Sequence, residues 1–121
     1  MAGLLVTRKQ VARWLRTTPR FVRYLEAKRK LAPCAFARAK FAEQTLCACL
    51  AALYCGSGWR RPERFPRDFM RPVDVAKQLR VSTATVLRWA RQRRLPHYRL
   101  GQHTVRFRLE DIKETINGKR R

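Results

Sequence analysis

The chain of 121 residues is 45% apolar and carries 29 Lys and Arg against 8 Asp and Glu. Its length suits one ordinary domain or two very small ones sharing a core, and its apolar share excludes a wholly disordered chain. A net charge of +21 repels itself in a compact fold, so a polyanionic partner is the simplest reason to keep it.

The charge is evenly spread. Residues 1–60 hold 12 basic and 2 acidic groups, and residues 61–121 hold 17 and 6, so this is no neutral domain with a basic arm. A solvated basic surface or a membrane-surface binder is the alternative, and no long basic amphipathic helix with a lipid-facing side supports the second. The opening Met1–Val6 run is too short for a signal peptide. No apolar stretch approaches the roughly 20 residues that span a bilayer. The expectation is a soluble, cytoplasmic protein with no membrane partner.

In chain order, Thr7 with Gln10 three residues on is a capping-box signature, predicting a helix whose buried face is Val11, Ala12 and Leu15. Thr18–Pro19 predicts a second helix through an N-cap and an N1 proline, with Val22 and Leu25 inward. A short extended segment follows Leu31. The third helix carries Leu46, Cys49, Leu50, Leu53 and Tyr54 on its core face. Cys47, Ala48, Ala51 and Ala52 leave its other side nearly as apolar, which predicts burial on both sides, within the chain or against a second protomer. Residues 56–70 read as a linker in which Trp59, Phe65 and Phe69 favour packing down.

Pro72 opens the next helix at N1, with Val75, Ala76 and Leu79 as its face. Ser82 caps another, with Val86, Trp89 and Ala90 inward. About three residues separate the helices of each pair, the helix-turn-helix connection. After Leu95–Pro96 the apolar period changes from 3.6 to 2, so residues 97–107 predict a β-hairpin with a glycine turn at Gly101. The last helix starts near Leu109, places Glu110 and Asp111 at its positive end, turns Ile112 and Ile116 inward and stops at Gly118. The aromatics Trp14, Phe41, Trp89 and Phe107 are read as core rather than as base-stacking groups.

A shift of 64 residues lays the second half over the first. Val11-Ala12 falls on Val75-Ala76, Leu15-Arg16 on Leu79-Arg80, Val22 on Val86, Arg29 on Arg93 and Leu31 on Leu95. After a two-residue slip, Lys40-Phe41 falls on Arg106-Phe107, Leu46 on Ile112 and Leu50 on Ile116. The chain reads as two copies of one unit, each helix, turn, helix, extended segment, helix.

The second copy, Val73-Asp74-Val75-Ala76, Leu79, Val81-Ser82, Thr85-Val86 and Trp89, then Leu95-Pro96, Arg99, Gly101 and Arg106-Phe107, resembles the excisionase/MerR-type winged helix-turn-helix family. The first copy resembles the MerR branch through Thr18 to Glu26 and then Leu31-Ala32-Pro33. The resemblance implies a mainly α fold with short β-hairpin wings, as two tandem winged helix-turn-helix units. Residues 1–55 are then a degenerate MerR-like unit, 56–70 the linker, 71–117 the excisionase/MerR-like unit and 118–121 a basic tail. It further implies that the second helix enters the major groove while the wing reaches backbone or minor groove. The first copy departs in its wing, where Pro33 to Lys40 contains no glycine for a tight turn.

Base reading needs side chains that project from a helix near its N-terminus. In the second copy these are Thr83, Ala84, Thr85 and Arg88, with Arg91 a turn further and Ser82 leaving backbone amides near a phosphate. Arg99, His103, Arg106 and Arg108 serve the wing. In the first copy the candidates are Thr18, Pro19, Arg20 and Arg23, with Tyr24 carried over from the family as a phosphate contact, and Arg38 and Lys40 in the wing.

Cys34, Cys47, Cys49 and Cys55 match no zinc-finger spacing, and a Cys-X-Cys pair on a helix points its thiols about 200° apart. They read as small buried hydrophobes, with metal or redox sensing kept open by the family resemblance alone. No cofactor, metal site or catalytic set is expected: the acids are scattered, and His97 and His103 lie in or beside a wing. The partner is double-stranded DNA, with a homodimer or head-to-tail assembly, an integrase or RNA polymerase as the protein partners such a role admits. Three functions fit: a small transcriptional repressor, an excisionase-type architectural factor of recombination, and a nucleoid-associated or phage DNA-packaging protein.

Overall fold

The computed structural model describes residues 5–34 and 40–118. It divides into two compact units, each assembled from two stretches of chain: residues 1–53 with 60–67, and residues 54–59 with 68–121. The stretch expected as a linker, 56–70, is thus shared out between them. Its aromatic content explains why, since Phe65 and Phe69 are fully buried and serve as core.

Unit one runs β1 (Leu5–Thr7), α1 (Arg8–Trp14), α2 (Pro19–Ala27), β2 (Lys40–Ala42) and α3 (Glu43–Leu53). The capping box forms as the sequence predicts: Gln10 N donates to Thr7 Oγ1 at 3.1 Å, and Thr7 N to the Gln10 side chain at 2.8 Å. Arg8 pairs with Glu26 at 2.7 Å, joining the start of α1 to the end of α2. β1 and β2 are antiparallel with Val6 opposite Phe41. Val11, Leu15, Val22, Leu25, Leu31, Phe41, Leu46 and Leu50 close the core.

α3 differs from expectation. Leu46, Cys47, Leu50 and Leu53 are buried, Cys49 is half-buried, and Ala48, Ala51 and Ala52 are exposed. Tyr54 leaves the helix for a strand of unit two. The helix therefore has one buried face, chosen by its large side chains, and its alanines are small enough to stay in water at little cost. Its first residue, Glu43, is buried and fastens residues 60–67: Phe65 N donates to its carboxylate at 2.9 Å, and Arg64 and Arg67 lie 3.7 Å from it. Arg67 also stacks its guanidinium 4.0 Å from the centre of the Trp14 ring.

Unit two contains β3 (Tyr54–Cys55), β4 (Phe69–Met70), α4 (Pro72–Leu79), α5 (Thr83–Arg91), β5 (His97–Arg99), β6 (Val105–Arg108) and α6 (Leu109–Ile116). The strands form an antiparallel sheet in the order β3-β5-β6-β4. Val75, Ala76, Val86, Ala90, Leu95, Phe107 and Ile112 form the core, with Leu79, Val81 and Trp89 packed on it. A second cluster seats Tyr98 between Tyr54 and Phe69, and the Trp59 indole donates to the Tyr98 hydroxyl at 3.2 Å. Burial pushes the Tyr98 phenol up to about 12. Pro72 stands at N1, and Gly118 follows the end of α6 at φ 70, both as expected. Ile116 is exposed rather than core, because α6 stops there and offers no further turn to cover it.

The turns of the two units close on the same bonds at the 64-residue shift. Thr17 N donates to Ala12 O and Val81 N to Ala76 O; Lys30 N donates to Leu25 O and Arg94 N to Trp89 O. Phe21 N donates to Thr18 Oγ1 and Thr85 N to Ser82 Oγ, each at 3.1 Å. With the two-residue slip in its second strand, Val6 opposite Phe41 corresponds to Met70 opposite Phe107.

Candidate nucleic-acid interface

α5 exists because Ser82 satisfies its first turn and because Val86 and Ala90 have a core to enter. With those residues inward, helical spacing turns Ala84, Arg88 and Arg91 to solvent, and all three are exposed. Thr83 and Thr85 are half-buried beside them. Ser82 Oγ and Thr85 Oγ1 are 2.8 Å apart, so both hydroxyls are held at the mouth of the helix, where unbonded backbone amides favour an anion.

The wing is β5, β6 and the loop joining them. Tyr98 pairs with Arg106 and Arg99 with Val105, and the amides of Leu100 and Gly101 both donate to Thr104 O, at 2.9 and 3.2 Å. Gly101 is buried at the base of this loop. Between α5 and the wing runs an open groove of about 220 Å3. Leu87, Ala90 and Val105 contribute its apolar wall, and Arg91, Arg99, Gln102 and His103 its polar one. Arg91, Arg99 and His103 are therefore brought together from separate elements. Gln102 joins them although no sequence argument singled it out; it is the polar neighbour of His103 at the hairpin tip.

His97 lines the same groove but is buried, and its Nδ1–H donates to Leu95 O at 3.0 Å. Burial, with Arg99 and Arg93 nearby, holds its pKa below the usual histidine value despite that hydrogen bond.

Two wing arginines are placed differently from the rest. Arg106 is half-buried, and its guanidinium donates to Val105 O at 2.9 Å. Burial and the charge of Arg71 lower its pKa. Arg108 pairs with Asp68 at 3.3 Å and Glu110 at 3.2 Å. Its guanidinium holds the start of α6 to the segment before β4. Arg88, Arg91, Arg99 and His103 remain exposed.

In unit one, α2 presents Arg20, Arg23 and Tyr24 to solvent, with Thr18 as its N-cap. Phe21 stacks on Tyr24 at 5.4 Å, and Lys28 lies 5.7 Å from the Tyr24 ring centre. Lys40 is exposed on β2, and Arg38 lies outside the described residues. Cys34 N donates to Lys40 O at 2.7 Å. At the 64-residue shift Tyr24 stands where unit two has Arg88, so the two exposed faces carry different chemistry.

Among the described residues no group of three or more His, Cys, Asp or Glu is placed to hold a metal ion. Burial and the charge of Glu43 push the Cys47 thiol up, which makes it less reactive. No helix among the described residues is long and apolar enough to cross a membrane.

Residues 69–120 match a family model described as a helix-turn-helix domain. The matched segment covers α4, α5, the wing and α6, and it is similar to excisionase-like DNA-binding helix-turn-helix domains. No curated protein and no solved structure matches the chain.

Proposed function

We propose that this protein binds double-stranded DNA in a sequence-specific manner and acts as a small transcriptional repressor at the nucleoid. The observation that carries this reading is the groove in which Arg91 meets Arg99 and His103, beside a helix face bearing Arg88. α5 enters the major groove, Arg88 and Thr85 read base edges, and the Arg91, Arg99 and His103 cluster holds a phosphate-sugar strand along the wing. Unit one is a second copy of the same module. That reading is supported by the turn and cap bonds recurring at a 64-residue shift and by the matching strand register. In it Arg20, Arg23 and Tyr24 meet DNA through a chemistry unlike that of unit two.

A second reading, an architectural factor of recombination that bends DNA beside an integrase, is favoured by the excisionase-like match. Selection from a random duplex library, followed by mapping of the recovered motif, separates the two. A defined motif lying at promoters supports the repressor, and one beside an integrase attachment core supports the architectural factor. Recovery with no enriched motif overturns both in favour of a general packaging role.

A further inference from the structure

Four residues other than glycine have a positive φ among the described residues: Arg16 at 58°, Arg29 at 60°, Arg80 at 57° and Arg93 at 60°. All four are arginine, and all four are exposed. Each stands just past the end of a helix, in a corner closed by the bond from the next residue's amide back into that helix. Such a corner suits glycine, because a Cβ there presses on the following carbonyl. Asparagine and aspartate are the usual second choices. The chain has five glycines and places none at these corners.

Strain tolerated four times for the same side chain points to the side chain. Arg16 and Arg80 stand two residues before Thr18 and Ser82, the N-caps of α2 and α5. Arg93 stands between α5 and β5, and its charge reaches His97 in the groove beside the wing. Arg29 occupies the same place after α2. One arginine thus stands at each end of each exposed helix.

We propose that Arg16, Arg29, Arg80 and Arg93 are phosphate contacts for a nucleic-acid duplex, kept at conformationally unfavourable corners for their charge; this rests on the DNA-binding reading above. Each pair brackets its helix, so the backbone on both flanks of the groove is gripped independently of what the helix reads. These contacts are blind to base sequence.

The test uses the full-length protein with two double variants, Arg16→Gly/Arg29→Gly and Arg80→Gly/Arg93→Gly. Tm is measured, together with Kd on a random-sequence duplex between about 50 and 200 mM salt. Removing the strain should raise Tm by a few degrees in each variant. Affinity should fall about tenfold, with the log-log salt slope shallower by about 1 for each arginine lost. The corresponding Arg→Lys pairs keep the charge and the strained corner, so they should retain the slope without gaining Tm.

A pair whose Tm rises while Kd and slope stay at the parent values overturns the assignment for that pair. A fall in Tm overturns it too, by showing that the side chains hold the fold. If the parent protein binds no duplex, the DNA-binding reading itself fails, a result distinct from either.

Discussion

Arg88 and Arg99 are both exposed arginines in unit two, and the proposed DNA-binding reading gives them different work. Arg88 lies on the solvent face of α5, where a guanidinium can bond two acceptors on a guanine edge. Arg99 lies in the wing groove with Arg91 and His103, a setting for backbone contact. Arg88→Ala should therefore lose about 1–3 kcal/mol on the selected site and little on random duplex, flattening discrimination. Arg99→Ala should weaken both duplexes by the same factor. Competition titrations on the two duplexes check this, and equal losses from both variants would refute the division of labour. Arg108 looks like the other wing arginines in sequence, but beside its neighbour Glu110 it pairs with Asp68, 40 residues away. Nothing local announces such a partner.

His97 supplies a stability test at the same scale. Its folded pKa is lowered, so the unfolded chain binds the proton more readily as pH falls. The stability contributed by neutral His97 is present above the ordinary histidine pKa of about 6.5 and is lost as pH drops below it. Tm should decline from about pH 7.5 to about pH 5.5, above the carboxylate range. His97→Gln should flatten that decline; an unchanged slope would assign it to other groups.

Among the elements, those written in local sequence were legible. The capping box at Thr7, the prolines at N1, the cap at Ser82 and the period change after Pro96 all act over three or four residues. The sheet edge was not. β3 is two residues long and exists because Tyr54 and Cys55 pair with Tyr98 and His97 more than 40 positions on. The buried role of Glu43 was equally hidden, since a glutamate opening a helix ordinarily reads as an exposed favourable charge. Of the candidate site, the outward face of its helix was legible, because helical spacing fixes it. The wing was less so, because alternation gives a side but not which arginines stay free of acids.

Two substitutions test these elements. Ser82→Ala removes the cap of α5 and should cost about 1 kcal/mol by denaturant unfolding. Glu43→Ala leaves the buried Phe65 amide without its acceptor and should cost about 1–3 kcal/mol. Tryptic cleavage after Arg64 and Arg67 should become faster in the Glu43 variant; unchanged resistance would show that residues 60–67 are held by their apolar contacts alone.

For the whole molecule, charge sets the strongest expectation. With +21 spread over both halves of the chain, binding should fall steeply with salt, with a log-log slope of roughly −5 to −9 for about 6–10 phosphate contacts. A slope near −2 would leave most of the charge without a role in binding. If both units dock, hydroxyl-radical protection should cover about two helical turns, near 20 base pairs, against about 10 for one unit.

Because the chain passes from unit one to unit two, back, and out again between residues 53 and 68, neither unit is a continuous piece of polypeptide. A gene cut anywhere in that stretch leaves at least one fragment without a strip of its own interior. Ended after Leu53, the first half loses Phe65 and the amide that Glu43 bonds; begun at Asp68, the second loses β3 and the Trp59 donor to Tyr98. Two units interleaved in this way can be shortened, exchanged or inherited only as a pair.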